Sequence, residues 1–437
     1  MKRPSVEASL EPLKPFQRRT VEHAFHRMFE AQDGTGRFLV ADEVGLGKTL
    51  VARGIIARAI DHLWNEVDRI DIVYICSNGS IARANLPKLQ VGGADERSFA
   101  LATRLTMLAT ELVHREGESG LAGSKLNFVS FTPGTSLNIG HSTGRGEERE
   151  VLFQLLHPLM DQHTALMNLL QAGITRTEDW RWRLKKDPRL IDGTIRRRFE
   201  AAFRGQPELE ERLKRLLDTT FGRYHSFPAE ARHARDRVIA RLRLMLAGAC
   251  VKALEPDLLI LDEFQRFKSL LGTQGAERDA AAELAQELFQ AEAHDGRRVR
   301  TLLLSATPYK LYTADAEIEH EDHYQDFLAT TRFLLGDDDA RVEELKQQLS
   351  RFGAALTRAA GGEPDQVERV ERAKRAVEDS LRDVMARTER VAASEDRDAM
   401  VCEDRRTTPV TASDVRQYLA ADALFRAVGD RDPMPFW

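Results

Sequence analysis

The feature that most constrains this chain is the turn Ala41-Asp42-Glu43-Val44-Gly45-Leu46-Gly47-Lys48-Thr49. It lies between an apolar run, Arg37-Phe38-Leu39-Val40, and a segment from Thr49 to Ile60 rich in Ala, Ile and Leu. The first run reads as a buried strand and the second as a helix, and strand, glycine turn, helix is the opening unit of a doubly wound α/β domain. Gly45 and Gly47 let the backbone turn sharply and present successive N–H groups. Those donors, with the N-terminus of the following helix, suit a polyphosphate. Lys48 would reach its β- and γ-phosphates, and the Thr49 hydroxyl would hold Mg²⁺. The strict phosphate-loop pattern asks for glycine at position 42, where this chain carries Asp42.

Further short apolar runs cover Ile70 to Ser77, Leu126 to Phe131, Asp257 to Leu261 and Arg300 to Ser305. They are the kind of strand that is buried on both faces of a parallel sheet. The expected fold class is therefore α/β, with a central, mostly parallel sheet. One of these runs, Leu258-Leu259-Ile260-Leu261, ends in the adjacent acids Asp262 and Glu263. An Asp at the carboxyl end of a strand beside a phosphate turn can hold Mg²⁺, and the next acid can polarise the attacking water. The chemistry this combination points to is Mg²⁺-dependent ATP hydrolysis, with Lys48, Asp262 and Glu263 as its catalytic groups.

The variant turn, Asp-Glu-x-Gly-Leu-Gly-Lys-Thr, resembles the first motif of Snf-type translocases in helicase superfamily 2. The resemblance covers roughly 12–312 without 141–235, and three more stretches fit it in order. Leu13-Lys14-Pro15-Phe16-Gln17 is similar to the entry motif whose glutamine reads the adenine edge. Asp262-Glu263-Phe264-Gln265 stands where the family has Asp-Glu-Ala-His or Asp-Glu-Ala-Asp, and both acids are intact. Leu304-Ser305-Ala306-Thr307-Pro308 resembles the Ser-Ala-Thr motif that couples the γ-phosphate to the nucleic-acid groove. The resemblance implies a RecA-like lobe with ATP bound by Gln17, Asp42, Gly45, Leu46, Gly47, Lys48 and Thr49, and Mg²⁺ by Thr49 and Asp262. Ser305, Ala306 and Thr307 would couple the two sites. It also implies DNA, duplex in preference to single strand, as partner, and a place in bacterial restriction or phage defence.

Loops at two strand ends are candidate phosphate grips: Ser77 and Asn78 with Arg83 on the next helix, and Thr132, Thr135 and Ser136. Groups of this type bind a backbone without reading sequence. A third candidate is the stretch at 141–250, with 21 Lys+Arg against 15 Asp+Glu. There Arg181 and Arg183 interleave with Trp180 and Trp182, a pattern suited to tracking a strand and stacking on bases. The same residues would equally serve to anchor a helical subdomain. The expected organisation is a lobe made of 1–140 and 236–311, a basic helical insertion at 141–235, and a helical linker region at 312–437. A single polar helix is expected over 363–392, and a last one from Thr411 to Val428.

No arginine-finger motif appears after Pro308, so a second RecA-like lobe is expected from a longer chain or a partner subunit. The net charge of −5 gives no global sign of a nucleic-acid binder, so any basic surface must be local. Cys76, Cys250 and Cys402 lie far apart and favour reduced thiols. With no apolar leader and no run of about 18 apolar residues, the expected location is cytoplasmic. A module that binds ATP without DNA-stimulated hydrolysis remains the alternative reading.

Overall fold

The computed structural model describes residues 3–91, 99–102, 104–113, 124–136, 143–186, 190–222, 227–266, 280–292, 296–305, 323–360, 366–389 and 411–428. Seven strands form one sheet: β1 (Arg37–Val40), β2 (Ile70–Ile75), β3 (Phe99–Ala102), β4 (Leu126–Phe131), β5 (Leu258–Asp262), β6 (Arg300–Leu304) and β7 (Met385–Ala386). Their order is β3-β4-β2-β5-β6-β1-β7, and every pairing is parallel. No helix among the described residues is long and apolar enough to cross a membrane.

Strand side chains alternate between two faces, and each face has its own core. Phe38, Val40, Ile72, Tyr74, Phe128, Leu258, Ile260 and Leu302 pack on one side. The helices Pro15–Phe25, Lys48–Leu63 and Gly79–Leu89 cover them, contributing Val21, Val51, Ile55 and Leu86. Leu39, Val73, Ile75, Val129, Leu259, Leu261 and Leu303 face the other way. There they meet the long helix Ala229–Leu254 through Leu246, Cys250 and Val251. The helices of 146–221 join that same core through Leu152, Leu166, Trp180, Phe199 and Phe221. The insertion therefore packs as part of the layer over this face. Trp180 is fully buried and its indole N–H donates to the Gly146 carbonyl (3.2 Å), so it works as an anchor.

The sheet has two strands that the sequence did not announce. Phe-Ala-Leu-Ala in β3 has no β-branched residue and favours helix by local preference, but it completes the open edge of β4. β7 arises in the region expected to lead away as a helical linker. The polar helix expected over 363–392 runs only from Gln366 to Arg382. It packs on the helix Asp339–Ala360, with Leu345 and Val377 buried between them. The chain then lies along β1: Leu39 N–H donates to Val384 O, Ala41 N–H to Ala386 O and Glu43 N–H to Thr388 O. A free strand edge leaves donors and acceptors that cost free energy when unpaired. Pairing them outweighs the weak helix preference of those few residues. The helix expected at the end is present as Ala412–Val428, with Thr411 and Asp414 bonded to each other at its start.

At the amino edge of the sheet two acids are buried together. Asp71 accepts from Asn127 Nδ2 (2.8 Å) and pairs with Arg69 (2.7 Å), while Asp257 accepts from the Asp71 N–H (2.9 Å) and pairs with Arg297 (3.2 Å). Burial pushes the Asp71 carboxyl up to about 7, despite Arg69. Its raised value makes the charged form the costlier one in the folded state. The contribution of Asp71 to stability is therefore greatest below the ordinary value of 3.8 and falls as pH rises toward about 7. Asp71→Asn removes that titration. Between pH 5 and pH 8 the wild type should lose stability relative to D71N by about 1 kcal/mol or more, read by urea unfolding at each pH.

Candidate functional site

The carboxyl edge of the sheet gathers most of the residues singled out above. In register, Val40 of β1 lies beside Leu304 of β6, and Leu304 beside Asp262 of β5. The phosphate turn after β1 and the acids ending β5 are thus separated by one strand, or roughly 10 Å at the usual inter-strand spacing. A phosphate chain with a hydrated cation fits a gap of that size. Ser305, which follows β6, lies in the gap and its N–H donates to Val40 O.

Gly45 and Gly47 adopt φ values of +86° and +81°, so the turn has the left-handed conformations that its glycines permit. The helix Lys48–Leu63 starts at once, with Gly47 as its N-cap. Its first N–H groups, together with those of the turn, leave donors for an anion. Lys48 Nζ donates to the Asp42 and Glu43 carbonyls at 2.8 and 3.1 Å. Partial burial holds this amine below its ordinary range, opposed by the charges of Asp42, Asp262 and Glu263. Lys48 opens the helix after β1, one strand away from Asp262 at the end of β5 and Glu263 just beyond it. Thr49 occupies the first turn of the same helix and is half-buried.

Asp262 and Glu263 differ in their surroundings. Asp262 Oδ2 accepts a 2.5 Å hydrogen bond from the Tyr74 hydroxyl. Glu263 has φ +52°, uncommon for a residue with a Cβ, and pairs with Arg266 at 2.9 Å. Backbone strain of this kind, of order 1–3 kcal/mol, gathers at functional sites. The donor set of hydroxyl and carboxylate oxygens suits a hard cation. Mg²⁺ is commonly held by one or two carboxylates plus substrate phosphates. Among the described residues there is no group of three or more His, Cys, Asp or Glu that could form an all-protein metal cage.

Three of the expected ATP-binding residues are also tied into the fold. Gln17 is buried, and its amide holds the turn: Oε1 accepts from the Lys14 N–H (2.9 Å) and Nε2 donates to Leu46 O (2.8 Å). Each end of the amide makes one bond within the fold, which leaves one N–H and one lone pair of the side chain. Asp42 is fully buried and accepts from the Thr388 N–H (2.7 Å), so its carboxylate faces the β7 strap. Burial pushes that carboxyl up. Leu46 is buried as well and meets the site through its backbone.

A second feature borders β2 and β4. Asn78 caps the helix Gly79–Leu89 by accepting from the Ser80 N–H (2.7 Å). Asn78, Ser80, Arg83, Arg104, Ser130, Thr132 and Arg145 line a cleft of about 530 Å³, together with Glu147 and Glu148. Of the expected nucleic-acid contacts, Asn78, Arg83 and Thr132 are there, and Ser77 stands beside it, half-buried. Ser136 is buried and accepts from the Leu105 N–H (3.2 Å), which removes it from the surface. The Thr135 side chain, and Ala306 and Thr307, lie outside the described residues.

Arg181 and Arg183 do not line the cleft. Arg181 donates to Asn168 and Gln171, and Arg183 to Glu150, so both guanidiniums hold the insertion together. Arg104 and Arg145 were missed, since neither sits in a motif and only the folded chain brings them to the cleft. Tyr74 was missed as well. Its one sequence signal is a polar-tipped side chain near the carboxyl end of a largely aliphatic strand.

No protein-family model matches the chain, and no curated protein matches it.

A Cβ at position 47 would lie 2.5 Å from Gln17 Nε2, on a backbone already at φ +81°. Gly47→Ala should lower stability by about 1–3 kcal/mol through the left-handed strain and the lost Gln17 contact. In the Gln17→Ala background the same substitution should cost less, because the clash is gone and only the strain remains. Chemical denaturation of the four chains of this cycle measures the difference.

Proposed function

We propose that this chain is the ATP-binding lobe of a Snf-type superfamily 2 motor, which hydrolyses ATP with Mg²⁺ to move along or remodel DNA. The observation that carries the proposal is the meeting of two distant stretches at one sheet edge. Lys48 and Thr49 open the helix after β1, while Asp262 closes β5 and Glu263 follows it, with only β6 between the two strand ends.

Each residue then has a definite task. The N–H groups of the 45–49 turn cradle the β-phosphate, and Lys48 leaves the Asp42 and Glu43 carbonyls for the β- and γ-oxygens. Thr49 and Asp262 would hold Mg²⁺, which neutralises the charge that builds on the phosphates. Glu263 takes the proton of the attacking water, in line with the γ-phosphorus. Gln17 and the β7 strap keep the turn in shape. Charge stabilisation from a second RecA-like lobe, in the same polypeptide or a partner subunit, would supply an arginine finger for full turnover, a contribution of roughly 10³–10⁵ in rate.

Nucleic acid fits the cleft at the β2 and β4 ends. It presents three arginines, Arg83, Arg104 and Arg145, and the capped helix start, which together suit phosphodiesters. These contacts do not read bases. A role in restriction or phage defence follows from the family resemblance alone.

Two substitutions test the reading. Lys48→Ala should abolish nucleotide binding by calorimetry. Glu263→Gln should leave ATP binding within about threefold while lowering hydrolysis by about 10²-fold or more, measured with the second lobe supplied and duplex DNA present. Nucleotide binding unaffected by K48A, or turnover unaffected by E263Q, would overturn the proposal. ATP binding by the wild type with no stimulation from any nucleic acid would instead favour a nucleotide-dependent docking module.

A further inference from the structure

A second set of residues stands directly behind Asp262. Tyr74 on β2 sits among aliphatic neighbours, Ile72 on its own strand and Ile260 on β5, on the same face of the sheet as the phosphate-loop helix. Its hydroxyl donates to Asp262 Oδ2 at 2.5 Å. The Tyr74 hydroxyl oxygen itself accepts from Asn85 Nδ2 at 3.0 Å, and Asn85 belongs to the helix Gly79–Leu89. Asn85 Nδ2 can only donate, so with the amide in this orientation the phenol turns its own proton to the carboxylate. The wiring has one direction: Asn85 to Tyr74 to Asp262.

A carboxylate on a short side chain at a strand end rotates about its last torsion unless something holds it. The phenol holds one oxygen, and Oδ1 is left as the oxygen of Asp262 without a hydrogen-bond partner among the described residues. Partners behind a ligand fix its orientation and tune its affinity for the ion, and their loss typically costs 10- to 100-fold in metal binding. Phenylalanine at this position would fill the same apolar space without that contact. A tyrosine whose only task was packing would not need a donor aimed at it from another element.

We infer that Tyr74 is a positioning residue that presents Asp262 Oδ1 to Mg²⁺, with Asn85 setting the direction of its hydroxyl. The inference rests on the reading of Asp262 as the Mg²⁺ carboxylate. It has a geometric corollary, because Asn85 and Arg83 share one helix. The cleft and the cation carboxylate are two hydrogen bonds and a single rigid element apart.

The test uses the full chain and a fluorescent ATP analogue titrated with MgCl₂, and with nucleotide alone in excess EDTA. Tyr74→Phe should raise the Mg²⁺ concentration for half-saturation about tenfold, with Mg²⁺-free nucleotide affinity within about twofold of wild type. Asn85→Ala should shift it in the same direction by less, and it stands in if Y74F fails to fold. Wild-type Mg²⁺ dependence in a folded Y74F, with binding lost in K48A, overturns this inference alone. Absence of nucleotide binding by the wild type overturns the inference together with the function beneath it.

Discussion

The interposition of β6 between β1 and β5 governs everything at this site. Because three parallel strands run side by side in register, Val40, Leu304 and Asp262 form one row, and the chain leaves all three strands on the same side. Adjacent pairing of β1 and β5 would bring Lys48 and the two acids together with no room for a phosphate. Two intervening strands would put them beyond the reach of a single cation. One strand gives a gap of roughly 10 Å, wide enough for a triphosphate end and narrow enough for Lys48 to feel both carboxylates. Parallel order is what allows such a gathering, since each carboxyl end then carries a loop to the same edge.

The phosphate turn is held from both flanks by elements far from it in sequence. Gln17, from the helix before β1, fastens the Leu46 carbonyl and crowds Gly47. Thr388, just past β7, fastens Asp42. Asp42 is costly to bury, and it stays buried because β7 supplies a donor and Lys48 a neighbouring charge. A residue that breaks the strict phosphate-loop pattern thereby becomes the point where the C-terminal strap is tied to the turn. The shape of the loop is thus imposed by the fold itself, and under the proposed function this lowers the ordering cost of binding nucleotide.

The basic insertion is held together by ion pairs. Glu148 accepts from Arg243, Arg104, Thr106 and the Arg145 N–H, so both its oxygens are saturated. Burial alone would push its carboxyl up, but the Arg145 N–H and the Arg243 charge hold it below its usual range. Arg183 meets Glu150, and Arg198 approaches Glu255. Arg183, Arg198 and Arg243 are thus engaged with acids of the fold. The arginines that reach the cleft are Arg83, Arg104 and Arg145, which lie in three separate parts of the chain.

The sequence by itself determined the α/β class, five of the strands, the phosphate turn and the acid pair. These are local signals: apolar runs the length of a strand, glycines where φ must be positive, and two acids at a strand end. It did not determine β3 or β7, because each is a strand only by virtue of an open edge supplied by another part of the chain. It also could not tell a polar side chain that meets ligand from one that braces the loop. Gln17, Asp42 and Ser136 look like contacts in the sequence, and the fold gives each a partner, Leu46, Thr388 and Leu105, from elsewhere in the chain. Tertiary structure alone decided that Tyr74 stands behind Asp262. The hydrogen bond joins positions 188 residues apart, and no periodicity along a single chain encodes a distance across two strands.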